Sequence, residues 1–279
     1  MTSTCTIGTV TVPDDRLLLI GGPCVLEDAQ TNLVIGRTLR DLCDDLGLSF
    51  VFKASFDKAN RSSVDSPRGP GIEAGLGELE RIRTELGVPV TTDVHEAHQA
   101  GPVAEVVDLL QVPAFLCRQT DLLGAVAATG KPVNVKKGQF LSPAEMRHVV
   151  DKLVSGGCDQ IMLTERGTFF GYHRLVNDFV GLGDLIELGR PVCFDVTHST
   201  QLPGGEKKHT GGRPDRAPML ARAAVAAGVA AIFVECHPDP RRAASDGSTM
   251  QPLQSMPSFL KPVVAIRRAL GAETACPQP

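Results

Sequence analysis

Short β-branched, apolar runs recur along the chain. Each is followed by a polar loop and then by a stretch in which apolar residues return every three or four positions. The runs predict strands at Leu17–Gly22, Phe50–Ser55, Pro89–Val94, Leu109–Ala114, Pro132–Lys137, Gln160–Gly167, Pro191–His198 and Ala231–His237. The helical period predicts helices over Leu33–Leu46, Gly75–Leu86, Leu122–Ala128, Pro143–Leu153, Leu175–Leu188, Met219–Ala227 and Phe259–Leu270, with a shorter crossover at Glu96–Val107. Near-continuous apolar strands alternating with helices imply a parallel sheet covered by helices. Eight such units without interruption predict an α/β fold, a closed (β/α)8 TIM barrel, over an open doubly wound sheet. The GxGxxG fingerprint of the open alternative is missing after the first strand. Thr4–Val12 alternates apolar and small residues, which predicts an N-terminal β-hairpin closing the barrel bottom. No linker, low-complexity segment or charge run marks a boundary, so 1–279 reads as a single (β/α)8-barrel catalytic domain.

Composition changes little in this picture. A chain of 279 residues, 42% hydrophobic and 22% charged, suits one barrel. A formal net charge of -4 implies no basic face and hence no nucleic-acid partner. The first basic residue is Arg16, and Leu17–Ile20 is too short for a signal core or a membrane span, so no membrane association is expected. The eight cysteines form no CxxC pair and read as reduced thiols in a cytoplasmic protein. Of these, Cys43, Cys117, Cys158 and Cys193 read as structural, while Cys5 and Cys276 lie in the end segments.

Chemistry is expected where the strands end, because the βα loops of such a barrel build its site. The second strand carries Lys53 and Ser55 and runs on into Lys58, Asn60, Arg61 and Ser62. The third ends at Asp93; the fourth carries Gln111, with Arg118 just beyond. The fifth ends in Lys136-Lys137, the sixth reaches Arg166, the seventh Asp195 and His198, and the eighth Glu235 and His237. Lysines and several arginines thus gather on one rim of a net-negative chain. Clustered cations are costly without anions, so the rim implies a substrate carrying phosphate and carboxylate. The plainer alternative pairs each cation with Asp57, Asp93, Asp195 or a helix acid. His95 and His98 are candidates for a general base, but surface or helix-start roles are the preferred reading. Gly204-Gly205 through Gly211-Gly212, with Glu206, Lys207, Lys208 and His209 between, reads as a lid after the seventh strand or as a plain exposed loop.

A second constellation comprises Cys24, His198, Glu235 and Asp246. Closure makes strands seven, eight and one neighbours, so these four can meet on one side of the mouth. Thiolate, imidazole and carboxylates suit one divalent metal ion per subunit, Zn²⁺, Fe²⁺, Mn²⁺ or Co²⁺. Alone, Cys24 would read as a packed small apolar residue; the joint placement favours ligation. His237 is a competing ligand, ranked below His198.

These residues lie in longer motifs: GGPCVLE at Gly21–Glu27, FKASFDKANRSS at Phe52–Ser63, RGPG at Arg68–Gly71, TDVHE at Thr92–Glu96, QVPAFLCRQTDL at Gln111–Leu122, NVKKGQF at Asn134–Phe140, FDVTHSTQLPGG at Phe194–Gly205, ECHPDP at Glu235–Pro240 and SDGS at Ser245–Ser248. Along almost its full length the chain resembles the 3-deoxy-D-manno-octulosonate 8-phosphate (KDO-8-phosphate) synthases. The resemblance implies a transferase that condenses phosphoenolpyruvate with D-arabinose 5-phosphate and water for lipopolysaccharide synthesis. It implies that Lys136 and Arg166 hold the phosphoenolpyruvate phosphate, with Lys58 and Ser55 near its carboxylate and Lys53 in the same pocket. Asn60 would contact the sugar, Arg61 and Ser62 its phosphate, and Arg118 the sugar phosphate of a neighbouring subunit in a homotetramer. Asp93 and Gln111 belong to the same substrate site, and Lys53, Lys58, Asn60, Lys136, His198 and Asp246 are the catalytic candidates. The metal-independent form has asparagine at the position of Cys24, so cysteine there resembles the metal-dependent form. Two alternatives stand beside this reading. One is a heptulosonate phosphate synthase using a four-carbon sugar, whose loop carries a KPRTS-type motif in place of Lys58-Ala59-Asn60-Arg61-Ser62. The other is a non-catalytic phosphosugar-binding protein.

Overall fold

The computed structural model describes residues 3–61, 63, 65–204 and 210–274. Ser62, the segment 205–209 of the expected lid and Cys276 lie outside the described residues. Eight parallel strands form the barrel: β1 (Leu18–Gly22), β2 (Ser49–Lys53), β3 (Val90–Asp93), β4 (Leu109–Val112), β5 (Val133–Lys136), β6 (Ile161–Glu165), β7 (Val192–Asp195) and β8 (Ala231–His237). Each pairs with the next in register, and β8 pairs both with β7 (Cys193↔Ala231) and with β1 (Ala231↔Leu18), which closes the ring. Every residue of these strands is buried, as expected where one face looks into the barrel and the other meets helices.

The outer layer is α1 (Ala29–Leu46), α2 (Ile72–Leu86), α3 (Ala100–Val106), α4 (Thr120–Ala127), α5 (Met146–Ser155), α6 (Phe179–Ile186), α7 (Ala217–Ala226) and α8 (Met256–Thr274). Local chemistry sets their ends. The Asp28 side chain accepts from the backbone N–H of Gln30 and Thr31 to start α1, which stops at Gly47 in the left-handed region, φ 72°. Ser142 and Glu145 form a reciprocal capping box around Pro143 ahead of α5.

Two expected elements differ. Leu175–Leu188 is not one helix: Leu175–Val176 pairs antiparallel with Thr168–Phe169, and α6 begins only after its cap, Asp178. The seventh strand stops at Asp195, and His198 opens a short 3-10 turn, Asp195 Oδ1 accepting its backbone N–H at 2.9 Å.

The hairpin Cys5–Ile7/Val10–Val12 closes the end of the barrel remote from the polar strand ends. Thr6 N donates to Gln160 Oε1 and Ser3 N to the Gly189 carbonyl, both on loops entering strands. Cys5, Ile7 and Val12 are buried and join Leu18, Ile20, Val51, Leu109, Met162, Cys193 and Phe233 in an apolar core inside the ring. A second core between the ring and its helices holds Phe52, Val90, Leu110, Leu163 and Phe194.

Candidate active site

The polar strand ends open into one cavity of about 960 Å³, whose walls include Lys53, Lys58, Asn60, Arg61, Asp93, His95, Gln111, Lys136, Arg166, His198 and Asp246. The backbone permits this convergence at narrow points. A Cβ on Gly22 would lie 2.1 Å from the Lys53 carbonyl oxygen, so only glycine lets β1 and β2 run so close at their ends. Asp246 sits at φ 49°, a left-handed conformation that aspartate tolerates better than most residues. A Cβ on the following Gly247 would meet the Pro240 carbonyl oxygen at 2.1 Å.

Lys53 Nζ donates to Glu235 Oε1 at 3.1 Å, Ser55 Oγ at 3.0 Å and the Cys24 carbonyl at 3.2 Å, with Asp93 Oδ2 at 3.6 Å. Asp93 accepts from Ser55 Oγ and from Gln111 Nε2. Gln111 Oε1 accepts from Asn134, and Asn134 Oδ1 from Thr164, so a hydrogen-bonded chain crosses β3 to β6 beneath the cavity. Burial alone would raise the Asp93 pKa, but Lys53 and Lys58 outweigh it and hold the carboxyl far below its ordinary range. Lys58, half-buried, is disfavoured as a cation by burial; Cys24, Glu235, Asp93 and Asp246 around it more than restore its charge.

Asp195 accepts from Lys136 Nζ and faces His198 Nδ1 at 2.7 Å. A carboxylate can only accept, so Nδ1 carries a proton, and in the neutral ring Nε2 is the nitrogen left with a lone pair. That nitrogen lies 3.8 Å from Glu235 Oε2, a buried oxygen without a hydrogen-bond partner among the described residues. Cys24 Sγ and the carboxylate oxygens of Glu235 and Asp246 all lie within 4.8 Å of one another. Here the Cys24 thiol donates to Asp246 Oδ2 at 2.9 Å. Burial first, then the charges of Asp246 and Glu235, push that thiol well above its ordinary pKa. Three of the four expected ligands therefore cluster, and His198 stands beside the cluster. His237 is engaged elsewhere, with Glu27 Oε2 3.2 Å from its Nε2.

The cations divide into paired and free. Lys53 and Lys136 have carboxylate partners, as the plainer alternative required. Arg166 has none among the described residues: buried, it donates from Nη2 to Gln201, and its Nη1 has no described partner. Arg61 ties the loop after β2 to that after β8, donating to Ser245 Oγ at 2.7 Å and the Ala244 carbonyl at 3.2 Å. Asn60 is exposed at the mouth.

Lys137, which follows Lys136 on the expected fifth strand, points away from the cavity. Its Nζ donates to the Leu141 carbonyl and Thr168 Oγ1 and lies 3.5 Å from Glu165. Successive residues of a strand face opposite sides, which separates the two lysines. Arg118 is exposed and lines a separate hollow with His148 and Lys152. His95 stands at a helix start as expected, its backbone N–H donating to Gln99 Oε1 at 2.9 Å, but its ring is not at the surface: it lines the cavity, packs edge-on against Phe56 and buries an Nδ1 with no partner among the described residues. Its signal was the extended Asp93-Val94-His95 spacing, which puts both polar residues on one side. His98 is exposed beside Glu96, as expected.

A closed barrel gathering ammonium and guanidinium groups beside a thiol–carboxylate cluster defines an enzyme scaffold for small anionic substrates. The chain belongs to the DAHP synthetase I family, whose model matches residues 4–270. It is 55% identical over 252 residues to the 2-dehydro-3-deoxyphosphooctonate aldolase of Cyanothece sp., a match covering 90% of this chain and 92% of that relative. The proteins of the same name from Synechococcus sp. and Desulfatibacillum aliphaticivorans are 54% and 53% identical, the matches covering 91% of this chain in each case and 89% and 93% of the relatives.

Proposed function

We propose that this protein is a KDO-8-phosphate synthase, condensing phosphoenolpyruvate with D-arabinose 5-phosphate and water to give 3-deoxy-D-manno-octulosonate 8-phosphate and inorganic phosphate. The buried, half-satisfied Arg166 guanidinium carries this reading: it lines the cavity, and its Nη1 has no hydrogen-bond partner among the described residues. An unpartnered buried donor is costly, and a substrate phosphate satisfies it.

In the reaction C3 of phosphoenolpyruvate bonds to the sugar aldehyde carbon, water adds at C2, and phosphate leaves from C2. Lys136 and Arg166 hold the phosphoenolpyruvate phosphate, while Lys53, Lys58 and Ser55 take its carboxylate. Asp93 and Gln111 fix these groups from below. Asn60 meets the sugar, and Arg61 with Ser62 its phosphate. Anchoring both reactants by their anionic ends brings the reacting carbons together. The same cations offset charge on the phosphorylated intermediate.

Cys24, Glu235, Asp246 and His198 would hold one divalent metal ion, Zn²⁺, Fe²⁺, Mn²⁺ or Co²⁺. The bare Glu235 oxygen and the lone pair of His198 fit that role, and Asp195 orients the imidazole in the manner of a carboxylate behind a metal-ligating histidine. When bound, such an ion supplies Lewis-acid orientation of water or of sugar oxygens. We assign the chain as one catalytic domain, working in the cytoplasm as a homotetramer in which Arg118 reaches a neighbour's sugar phosphate. Exposed Phe115, Phe140 and Phe170 support self-association, and no described helix is long and apolar enough to cross a membrane.

Purified protein is expected to release phosphate from phosphoenolpyruvate when arabinose 5-phosphate is added, and far more slowly with erythrose 4-phosphate. Preference for the four-carbon sugar would favour a heptulosonate phosphate synthase, and no release with either sugar a phosphosugar-binding protein.

A further inference from the structure

Beneath the cavity lies one aromatic ring that the reaction above does not use. Phe233 is fully buried at the top of the apolar core inside the barrel and is the sole aromatic among the described members of that core. β8 pairs it with Asp195 of β7 on one side and Ile20 of β1 on the other. The Lys136 ammonium sits over its face, 3.6 Å from the ring centroid, and Lys53 Nζ is 5.4 Å from the same centroid. The His198 ring centroid is 5.8 Å away. Three groups that serve substrate or metal in the proposed function thus rest around one side chain.

We propose that Phe233 is a positioning residue for the reaction, its ring face a cation-binding floor that holds the Lys136 ammonium ready for the phosphate of phosphoenolpyruvate. This rests on the functional reading given above. Lys136 is 6% exposed and already faces Asp195. A second carboxylate below it would neutralise the site and repel a phosphate. A ring attracts the ammonium through its quadrupole and adds no net charge, so the cation stays available to an anion from above. An aliphatic residue would fill the space without that attraction, and the ammonium, held by Asp195 alone, would be free to swing toward water in the open cavity. The contact also strengthens on binding. A cation–π pair is worth more once desolvated, and a phosphate seated on Lys136 displaces the water above it. Substrate affinity is therefore coupled to the charge distribution of the ring.

Fluorination tests this without changing shape. Phenylalanine at 233 is replaced by its 4-fluoro, 3,5-difluoro and 3,4,5-trifluoro analogues, which withdraw electron density from the face stepwise. Binding of phosphoenolpyruvate is measured by titration calorimetry and folding by thermal melting. The expected result is a stepwise rise in Kd, about tenfold across the series, with the melting temperature nearly constant. The same series at Phe194, which stacks on Phe179 with centroids 5.7 Å apart, leaves Kd unchanged. A flat Kd series at 233, or an equal rise at 194, overturns the proposal. Because the readout is binding, it stands apart from turnover: failure of the unsubstituted protein to form product counts against the proposed reaction alone.

Discussion

Asp195 serves two masters at the mouth: one oxygen takes both the Lys136 ammonium and His198 Nδ1, while the other takes the His198 backbone N–H. Replacing it with asparagine keeps the shape but removes the charge and lets an N–H face the histidine. Asp195→Asn is therefore expected to lower kcat/KM and bound metal about 10- to 100-fold, checked by steady-state kinetics and metal analysis. Arg166→Lys keeps the charge but loses the fork that leaves one nitrogen for phosphate; the KM for phosphoenolpyruvate is expected to rise at least about tenfold, with folding unchanged by circular dichroism. Much of this site is legible in the sequence because polar residues at the ends of apolar strands are conspicuous, and Lys53, Lys136, Arg166 and Glu235 all announce themselves that way. The double duty of Asp195 is not legible, since hydrogen-bond partners across strands depend on register. The sequence ranks His237 below His198 as a ligand, and the physical reason becomes visible only in the fold, where the Glu27 contact occupies His237.

At the scale of elements, the eight strands follow from the pattern of apolar runs, but those runs overstate their length. Strand pairing stops where the backbone turns to present side chains, so Asp195 ends β7 three residues before His198. The segment Leu175–Leu188 has a helical period throughout, yet Asp178 caps a helix from within it and frees Leu175–Val176 to pair with Thr168–Phe169. The hairpin Cys5–Ile7/Val10–Val12 was readable as alternation, and its burial predicts its worth. Ile7→Ala is expected to destabilise the fold by about 2 to 5 kcal/mol in denaturant melts, with KM for both substrates unchanged because the hairpin lies at the opposite end of the barrel. Gly22→Ala should act at both ends of this scale. Its Cβ meets the Lys53 carbonyl, so about 3 kcal/mol of stability and most activity are expected to fall together, the latter through a displaced Lys53.

The whole molecule carries two sets of buried titratable groups with opposite signs, and together they bound its stability in pH. Asp93, Asp195, Glu235 and Asp246 are held below ordinary carboxylate values, nearby lysines and His198 outweighing the burial that would raise them. Because the unfolded chain takes up protons first, near pH 4, their contribution is full above that pH and is lost as pH falls below it. The thiols behave in the other direction. Burial pushes Cys5 and Cys193 up to about 12 and raises Cys24, Cys43, Cys117, Cys158 and Cys236 as well. Unfolded thiols ionise near pH 9, so this contribution is full below 9 and erodes as pH climbs toward 12, by up to about 1.4 kcal/mol per pH unit for each thiol. Melting temperature in metal-free buffer is therefore expected to be level from about pH 5 to 8 and to fall on both sides. Cys193→Ala, which removes one of these seven thiols, should make the alkaline limb less steep and leave the acid limb in place. Calorimetry that found the two limbs moving together would show that the thiols do not set the upper bound.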